Sequence, residues 1–223
     1  MQSQALTLRA VQIKENDRLI TALTEKHGIV RAFANGAKKP KNPLHGATQP
    51  FAFGQLEFAA RRDTYIVKEA TAQGLFFDGL AADITRLALA NYFAALCIEL
   101  CPQEEPAPTQ LKLVLNALHF LSLGTRPQAL LKAVVELQLL CLAGYMPDVD
   151  NPGEYFAETP LPVQQAVRFI CDAPPQRVFR FALPQEGLQA LAWHTGHYLS
   201  QQTNKVFEEL AYYQKMCYNN AEF

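Results

Sequence analysis

Length, composition and charge describe an ordinary globular protein. The chain has 223 residues, 49% of them hydrophobic and 18% charged, and a formal net charge of −1. This apolar content excludes intrinsic disorder, and 11 glycines, 14 prolines and five scattered cysteines exclude collagen-like and disulfide-scaffold classes. The length allows one large domain or two small ones.

No segment predicts a membrane span. The longest uncharged run, residues 187–204, contains several histidine, glutamine, serine and threonine residues, so it cannot cross a bilayer unaided. The cysteines are odd in number and follow no secretory signal sequence, which predicts a cytoplasmic location.

Charge divides the chain into two parts. Residues 1–75 carry 11 Lys and Arg against 6 Asp and Glu, or +5, whereas residues 76–223 carry 9 against 15, or −6. A basic segment attracts phosphate backbones whatever the net charge of the chain. The asymmetry therefore suggests a nucleic-acid ligand, although segments of this length also differ by a few charges by chance.

The N-terminal part shows the period-two alternation of β-strands. Five short segments alternate in this way: Leu6/Leu8/Ala10, Leu19/Thr21/Leu23, Ile29/Arg31/Phe33, Phe51/Phe53 and Tyr65/Val67. Reversals are predicted at residues 14–17, 25–28, 35–50 and 61–63. Five strands in about 70 residues favour a small closed or nearly closed barrel, because an open sheet would expose its edges.

From Asp78 onward the apolar period becomes helical. Apolar stripes predict helices from about residue 80, around 111–121 and over 127–143, followed by shorter helices near 160–172, 185–201 and 203–217. Gly144 and Pro147 end the third helix in the usual residue order. The sequence thus predicts an α+β multidomain protein, with a five-stranded barrel in residues 1–76 and an all-helical domain in residues 77–223.

Residues for familiar enzyme mechanisms are missing. The three serines lie outside any Gly-x-Ser-x-Gly motif, no two glycines have G-x-G spacing, and no glycine precedes a lysine. Three pairs have the spacing of metal ligands: Cys97/Cys101, His194/His197 and Asp148/Asp150. They are better explained as core thiols, a solvated helix face and a solvated loop, so we expect no enzyme activity, no metal and no other cofactor.

The strongest local feature is the basic loop, residues 34–43, with the sequence Ala-Asn-Gly-Ala-Lys-Lys-Pro-Lys-Asn-Pro. Its three lysines and His45 have no acidic neighbour between residues 34 and 53, so we expect them to lack local partners. Long loops between strands are uncommon in compact domains unless they are functional. With other cations of the barrel they form the predicted DNA-binding set: Lys14, Arg18, Lys38, Lys39, Lys41, Arg61, Arg62 and Lys68.

Three aromatic residues could add base stacking to this electrostatic attraction. Phe51, Phe53 and Tyr65 either stack on bases or fill the barrel, and alternation alone does not decide between these faces. If about five phosphates are neutralised, binding to a single strand should show a salt slope near −3.5, at about 0.7 per contact.

Several short motifs are distinctive in combination. They are Glu15-Asn16-Asp17-Arg18-Leu19, Glu25-Lys26-His27-Gly28, Asn35-Gly36-Ala37-Lys38-Lys39-Pro40-Lys41, Gln49-Pro50-Phe51 and Leu140-Cys141-Leu142-Ala143-Gly144-Tyr145-Met146-Pro147. In this order they resemble the bacterial RecO family of DNA recombination and repair proteins, over most of the chain.

The resemblance implies an OB-fold barrel followed by a helical domain. It also implies a cytoplasmic, nucleoid-associated mediator that binds single- and double-stranded DNA, anneals complementary strands and acts with RecR. Such a protein engages the C-terminal tail of single-stranded DNA-binding protein and assists loading of RecA. An acidic, apolar tail would need an apolar groove with a cationic rim, for which the candidates are Lys112, Arg126, Lys132 and Arg168.

Two positions depart from the family pattern. Many relatives carry a four-cysteine zinc site whose first pair follows the Gly-Tyr-x-Pro segment, but Asn151 and Pro152 stand there in this chain. We therefore predict a zinc-less member. Asn35 also replaces the Lys or Arg that often precedes the loop glycine, which removes one charge from the expected DNA-contacting set.

Two other functions are open at this point. A protein-interaction scaffold with an OB-like barrel and no DNA role would show little salt-dependent DNA binding. A metal-dependent nuclease would require Asp148 and Asp150 to converge with His194 and His197.

Overall fold

A closed five-stranded barrel forms the N-terminal part of the protein. The computed structural model describes residues 1–61, 64–151 and 154–221. The strands are β1 (Gln2–Gln12), β2 (Arg18–Thr24), β3 (Gly28–Ala34), β4 (Ala52–Arg61) and β5 (Thr64–Leu75), with a short helix α1 (Leu44–Ala47) before β4. They pair in the order β1-β2-β3-β5-β4, and only the β3–β5 pairing is parallel. The predicted five-stranded barrel is confirmed.

Small residues fill the barrel interior. Its buried cluster is rich in alanine and has a few larger side chains: Ala5, Ile20, Ala22, Val30, Ala32, Ala34, Ala37, Leu44, Leu56, Phe58 and Val67. A barrel of five strands has a narrow interior, so most inward positions must be small for the sheet to close.

The outer face of β1, β2 and β3 is also apolar, because helices cover one end of it. Leu6, Leu8, Leu23 and Ile29 point outward and join the core of the helical part, together with Phe51. The alternation in the sequence therefore marks this covered outer face as well as the interior. Barrel and helices share one hydrophobic cluster and are held together by it.

Seven helices follow the barrel among the described residues. They are α2 (Phe77–Ala81), α3 (Ile84–Leu100), α4 (Pro108–Leu123), α5 (Gln128–Leu142), α6 (Leu161–Asp172), α7 (Gln185–Thr203) and α8 (Glu208–Ala221). Helix α5 is central: every residue from 130 to 140 is buried, including Lys132 and Glu136. Helix α5 ends before Gly144, as predicted, and Gly144 adopts a positive φ of 92°.

The interior position of Lys132 corrects its predicted place on an exposed rim. Its ammonium donates to Glu136 Oε2 at 2.9 Å and to the carbonyl oxygen of Ala192 at 2.8 Å. The Thr195 hydroxyl donates to the same carboxylate at 2.6 Å. Lys132 is 6% exposed and its charge is compensated inside the helical bundle, so it is not available to an external partner.

A backbone clasp joins the two parts of the chain. The segment between α3 and α4 runs beside the β2–β3 turn, where Ile29 N donates to Pro102 O at 2.8 Å and Ala107 N donates to Glu25 O at 2.9 Å. Gly28, with φ of 57°, lies so close that a Cβ there would be 2.0 Å from Pro102 O. Only glycine fits this turn, both for its conformation and for the space.

Among the residues described, no helix combines the length and the apolar character needed to span a membrane.

Candidate nucleic-acid interface

An open groove crosses the uncovered end of the outer barrel face. This strand groove has a volume of about 790 Å³. Its walls come from Met1 and β1, from β2, β3 and the turn between them, from the start of β5, and from the end of α3 with the segment after it. The lining residues are Met1, Arg9, Val11, Leu19, Thr21, His27, Ile29, Val30, Arg31, Thr64, Tyr65, Ile98, Gln103 and Glu104. Ligands of OB-fold barrels bind on this face of the sheet.

Two arginines lie in register across the strand groove. Arg9 of β1 pairs with Thr21 of β2, which pairs in turn with Arg31 of β3. Neighbouring strands are about 4.8 Å apart, so the two arginine backbones lie about 10 Å apart with a hydroxyl between them. Both arginines are exposed. A row of two guanidinium groups and a hydroxyl can contact successive phosphates of an extended strand.

The groove also contains acidic groups. Arg9 forms an ion pair of 2.9 Å with Glu209 of α8, and Glu104 also lines the groove. Among the residues described, no carboxylate lies within ion-pair distance of Arg31. Arg31 is therefore the stronger anion contact of the two arginines.

Arg61 stands next to this row. It pairs with Thr64 across the β4–β5 turn, and the Thr64 hydroxyl donates to the carbonyl oxygen of Arg31 at 3.0 Å. The fold thus brings Arg31 and exposed Arg61 to one corner of the barrel. Arg62, which was predicted to join them, lies outside the described residues.

Hydrogen bonds hold the basic loop against the turn between β1 and β2. Gly36 N donates to Asp17 Oδ1 at 2.7 Å, and Lys38 N donates to Asn16 O at 3.1 Å. These contacts bring Lys38 to the turn that carries exposed Lys14. The loop is an ordered part of the barrel, because its backbone donors have fixed partners.

The expectation that the loop side chains lack local partners needs correction. Lys38 Nζ donates to Gln12 Oε1 at 2.6 Å, and His45 Nδ1 lies 3.0 Å from Ala37 O. Neither Gln12 Oε1 nor Ala37 O carries a charge, so no local carboxylate competes with a DNA phosphate for Lys38. Lys39 and Lys41 are exposed.

Arg18 and Lys68 differ from the other predicted contacts. The half-buried guanidinium of Arg18 donates to His45 O at 3.1 Å and to Thr48 Oγ1 at 3.2 Å, and burial lowers its pKa. It fastens the segment around α1 to the barrel. Exposed Lys68 lies in a second cavity of about 590 Å³ between β5 and the basic loop, beside Glu69.

The three aromatic residues have different surroundings. Phe51 is buried between the barrel and the helices, and Phe53 packs half-buried against the same cluster. Tyr65 packs edge-on against Phe58, with ring centroids 6.4 Å apart, and also lines the strand groove. Of the three, Tyr65 is the one whose ring is placed to stack on a base.

The candidate rim residues of the helical part have separate settings. Lys112 is exposed on α4, Arg126 lies over the ring of Phe120 with its Cζ 5.9 Å from the centroid, and Arg168 forms an ion pair with Asp150. With Lys132 in the interior, the four do not outline a common groove.

The metal-ligand candidates are also spread out. Asp150 N donates to Asp148 Oδ1, while Asp150 is paired with Arg168. His197 stacks on Trp193, with ring centroids 3.8 Å apart. Within residues 1–61, 64–151 and 154–221, no three His, Cys, Asp or Glu side chains could hold a metal ion together.

Two protein-family models match the chain, one over the barrel and one over the first helices. The family model described as "Recombination protein O N terminal" matches residues 1–76, and the family model described as "Recombination protein O C terminal" matches residues 81–163. The chain belongs to the RecO family. The second match ends at residue 163, in the first turn of α6, so most of α6 and all of α7 and α8 lie beyond both matched regions.

Three RecO relatives illustrate the similarity. The DNA repair protein RecO of Bifidobacterium adolescentis is 28% identical over 197 residues, which are 87% of this chain and 74% of that protein. The Myxococcus xanthus protein of the same name is 35% identical over 148 residues, 66% of this chain and 60% of the relative. That of Anaeromyxobacter sp. (strain Fw109-5) is 36% identical over 147 residues, 65% and 57% respectively. The matched segments thus cover less than two thirds of the latter two RecO proteins.

Sequence reasoning missed Arg9, His27 and Arg31 as groove residues. The sequence does contain a sign of the role of Arg31. It is the charged residue on the strand face that it shares with apolar Ile29 and Phe33, and a charge facing the barrel interior would have no partner. That charge marks the uncovered end of the outer face.

Proposed function

We propose that the protein is a non-enzymatic DNA repair and recombination mediator that binds single- and double-stranded DNA. The observation that carries this proposal is the row Arg9–Thr21–Arg31 across the strand groove of an OB-type barrel. Membership of the RecO family and the names of its relatives, "DNA repair protein RecO", support the same role.

Binding of a single strand would combine two interactions. Guanidinium groups at Arg31 and Arg61 neutralise phosphates, while the ring of Tyr65 stacks on a base in the same groove. Neither interaction distinguishes one base sequence from another, so we expect binding without sequence preference.

The basic loop supplies a second positive region at the turn of β1 and β2. Lys14, Lys38, Lys39 and Lys41 would contact phosphates of a duplex or of a second strand. Two strands held on one barrel repel each other less, and this lowers the electrostatic barrier to annealing. Lys68 would extend this region along β5.

Fluorescence anisotropy of labelled oligo-dT over a salt series tests the proposal. Changing Lys38, Lys39 and Lys41 to Glu should weaken binding at least ~10-fold at moderate salt, and Arg31→Ala should reduce the magnitude of the salt slope by about 0.7. The matched control changes the exposed cations Arg177, Arg180 and Lys215 to Glu, which alters net charge equally but lies outside the barrel.

Equal loss in the control and loop variants would show that net charge alone is responsible. Absent or salt-insensitive binding by the wild type would instead favour the protein-interaction scaffold. Unchanged affinity of the loop variant would show that the basic loop is not the DNA site.

The wider mediator role is part of the same proposal. As the family resemblance implies, the protein would act with RecR, engage the C-terminal tail of single-stranded DNA-binding protein and assist RecA loading, in the cytoplasm at the nucleoid. Pull-down with a peptide of that tail, followed by an annealing assay on coated strands, tests it. Lys112→Glu should weaken tail binding if α4 forms the rim, because the tail is acidic.

A further inference from the structure

Two cysteines from different helices face each other in the helical part. Sγ of Cys141, near the end of α5, lies 3.3 Å from Sγ of Cys171, near the end of α6. Both thiols are free and half-buried. Thirty residues separate them in the chain, so tertiary packing alone creates this contact.

We propose that Cys141 and Cys171 are a redox-sensitive pair that a hydroperoxide oxidises to a disulfide. In the first step the Cys141 thiolate attacks a peroxide oxygen. An S–O bond forms and the O–O bond breaks. With hydrogen peroxide as the oxidant, the products are a sulfenic acid at Cys141 and one molecule of water. In the second step the Cys171 sulfur attacks the sulfenic sulfur, an S–S bond replaces the S–O bond, and a second water leaves. Two thiols lose two electrons and two protons, and one peroxide is reduced to two waters.

Local chemistry assigns the first step to Cys141. A hydrogen bond with the Cys171 thiol lowers the pKa of Cys141, and it is the thiolate that reacts as a nucleophile. The same contact, with burial, raises the pKa of Cys171, which suits it to the second position.

The other cysteines have settings that disfavour this reaction. Cys97 of α3 and Cys101, the residue directly after α3, are 0% and 5% exposed, and their contact together with burial raises the pKa of Cys97. Burial also raises the pKa of Cys217. A small oxidant should therefore react with the thiolate of Cys141, beside the thiol of Cys171, in preference to the other three cysteines.

The disulfide would join the C-terminal ends of α5 and α6 and close a loop that contains both α6 and the connection of residues 143–160 before it. This connection carries Phe156, whose ring packs on Tyr198 of α7 with centroids 5.2 Å apart. A covalent link between the ends of this loop restricts how far residues 143–160 and α6 can open in the unfolded and partly unfolded chain. Disulfides of reducing compartments are usually transient and serve redox sensing.

Peptide mapping tests the proposal on the full chain. The protein is treated with hydrogen peroxide, alkylated and digested with trypsin, which leaves Cys141 in residues 133–168 and Cys171 in residues 169–177. We expect these two peptides to be cross-linked, with a mass lower by two hydrogens, and three of the five cysteines to stay alkylated. Cys97 and Cys101 share the peptide 87–112, so a disulfide between them would be recognised as an internal link.

A second measurement follows the consequence of oxidation. Peroxide should slow limited proteolysis within residues 143–160 several-fold and raise the Tm of the wild type, and dithiothreitol should reverse both. Cys171→Ser should abolish both changes, whereas Cys217→Ser should retain them. The proposal is overturned if the cross-linked peptide is missing, if the link joins other cysteines, or if Cys171→Ser still shows the reversible protection.

Discussion

The Tyr92 hydroxyl donates a hydrogen bond of 2.6 Å to Oε1 of Glu136, a carboxylate with no exposure to solvent. Lys132 and Thr195 donate to the other carboxylate oxygen, so three helices, α3, α5 and α7, meet at one buried charge. A buried carboxylate is tolerated only when such donors replace its hydration.

Removing the charge partner should destabilise the protein strongly. Glu136→Ala leaves the Lys132 ammonium buried without a counter-charge, which should cost about 4 kcal/mol of unfolding free energy. Urea denaturation measures the loss. Glu99→Ala is the control, because Glu99 pairs with Lys205 at the surface and such pairs contribute up to about 1 kcal/mol. Equal losses in both variants would contradict the role given to the buried network.

The same network makes stability depend on alkaline pH. Burial, followed by the charge of Glu136 and the hydrogen bond to it, raises the pKa of Tyr92 well above its ordinary value. The folded protein therefore keeps this proton at a pH where the unfolded chain, with a tyrosine pKa of about 10, has released it. The resulting stabilisation is fully present below about pH 10 and is lost as pH rises further.

Tyr92→Phe removes this titration and should flatten the profile. The urea midpoint of the wild type should fall more steeply than that of Tyr92→Phe between about pH 9 and pH 11. Some slope will remain, because burial also raises the pKa of Tyr198 to about 12. Tyr218→Phe, at an exposed tyrosine, should keep the slope of the wild type. A profile of Tyr92→Phe that matches the wild type would refute the assignment.

The clasp between barrel and helices predicts a specific glycine requirement. Gly28→Ala combines a left-handed φ with a Cβ 2.0 Å from Pro102 O, so we expect a loss of at least ~2 kcal/mol in the free energy of unfolding. Thermal and urea unfolding measure it. Gly74→Ala is the matched control, since no atom lies within 4 Å of its added Cβ. Similar stability of the two variants would show that the backbone around Pro102 shifts at little cost to admit the new Cβ.

Arg18 and Arg31 should separate stability from DNA binding. Arg18→Ala loses two hydrogen bonds to neutral acceptors and should lower stability by about 1–3 kcal/mol without changing the salt slope of oligo-dT binding. Arg31→Ala should do the reverse: near-normal stability and a slope smaller by about 0.7. If Arg18→Ala changed the slope as much as Arg31→Ala, then Arg18 would be a phosphate contact after all.

The order and type of elements were predictable because their periodicity is strong. The alternation at Leu6/Leu8 and Ile29/Arg31 predicted strands β1 and β3, and the turn at Gly144 predicted the end of α5. What alternation could not supply was the direction of each face. Both faces of β1 are apolar, since one fills the barrel and the other contacts the helices.

The errors at Lys132 and Lys38 have a common physical cause. Lys132 was placed on a cationic rim because lysines usually lie at the surface, yet α5 is apolar on most sides and surrounded by other helices, so Lys132 and Glu136 are buried together. Lys38 meets Gln12 through tertiary folding of its loop. Contacts between residues distant in sequence leave no trace in a local pattern.

The shared cluster at Leu6, Leu8, Leu23 and Ile29 also limits how the barrel can be studied. A fragment containing only residues 1–76 would expose this patch to water, and contiguous apolar surfaces of that kind promote association. We expect such a fragment to aggregate, so that its DNA affinity would reflect the aggregate. Binding measurements are therefore meaningful on the intact chain, where the helices complete the surface of the barrel.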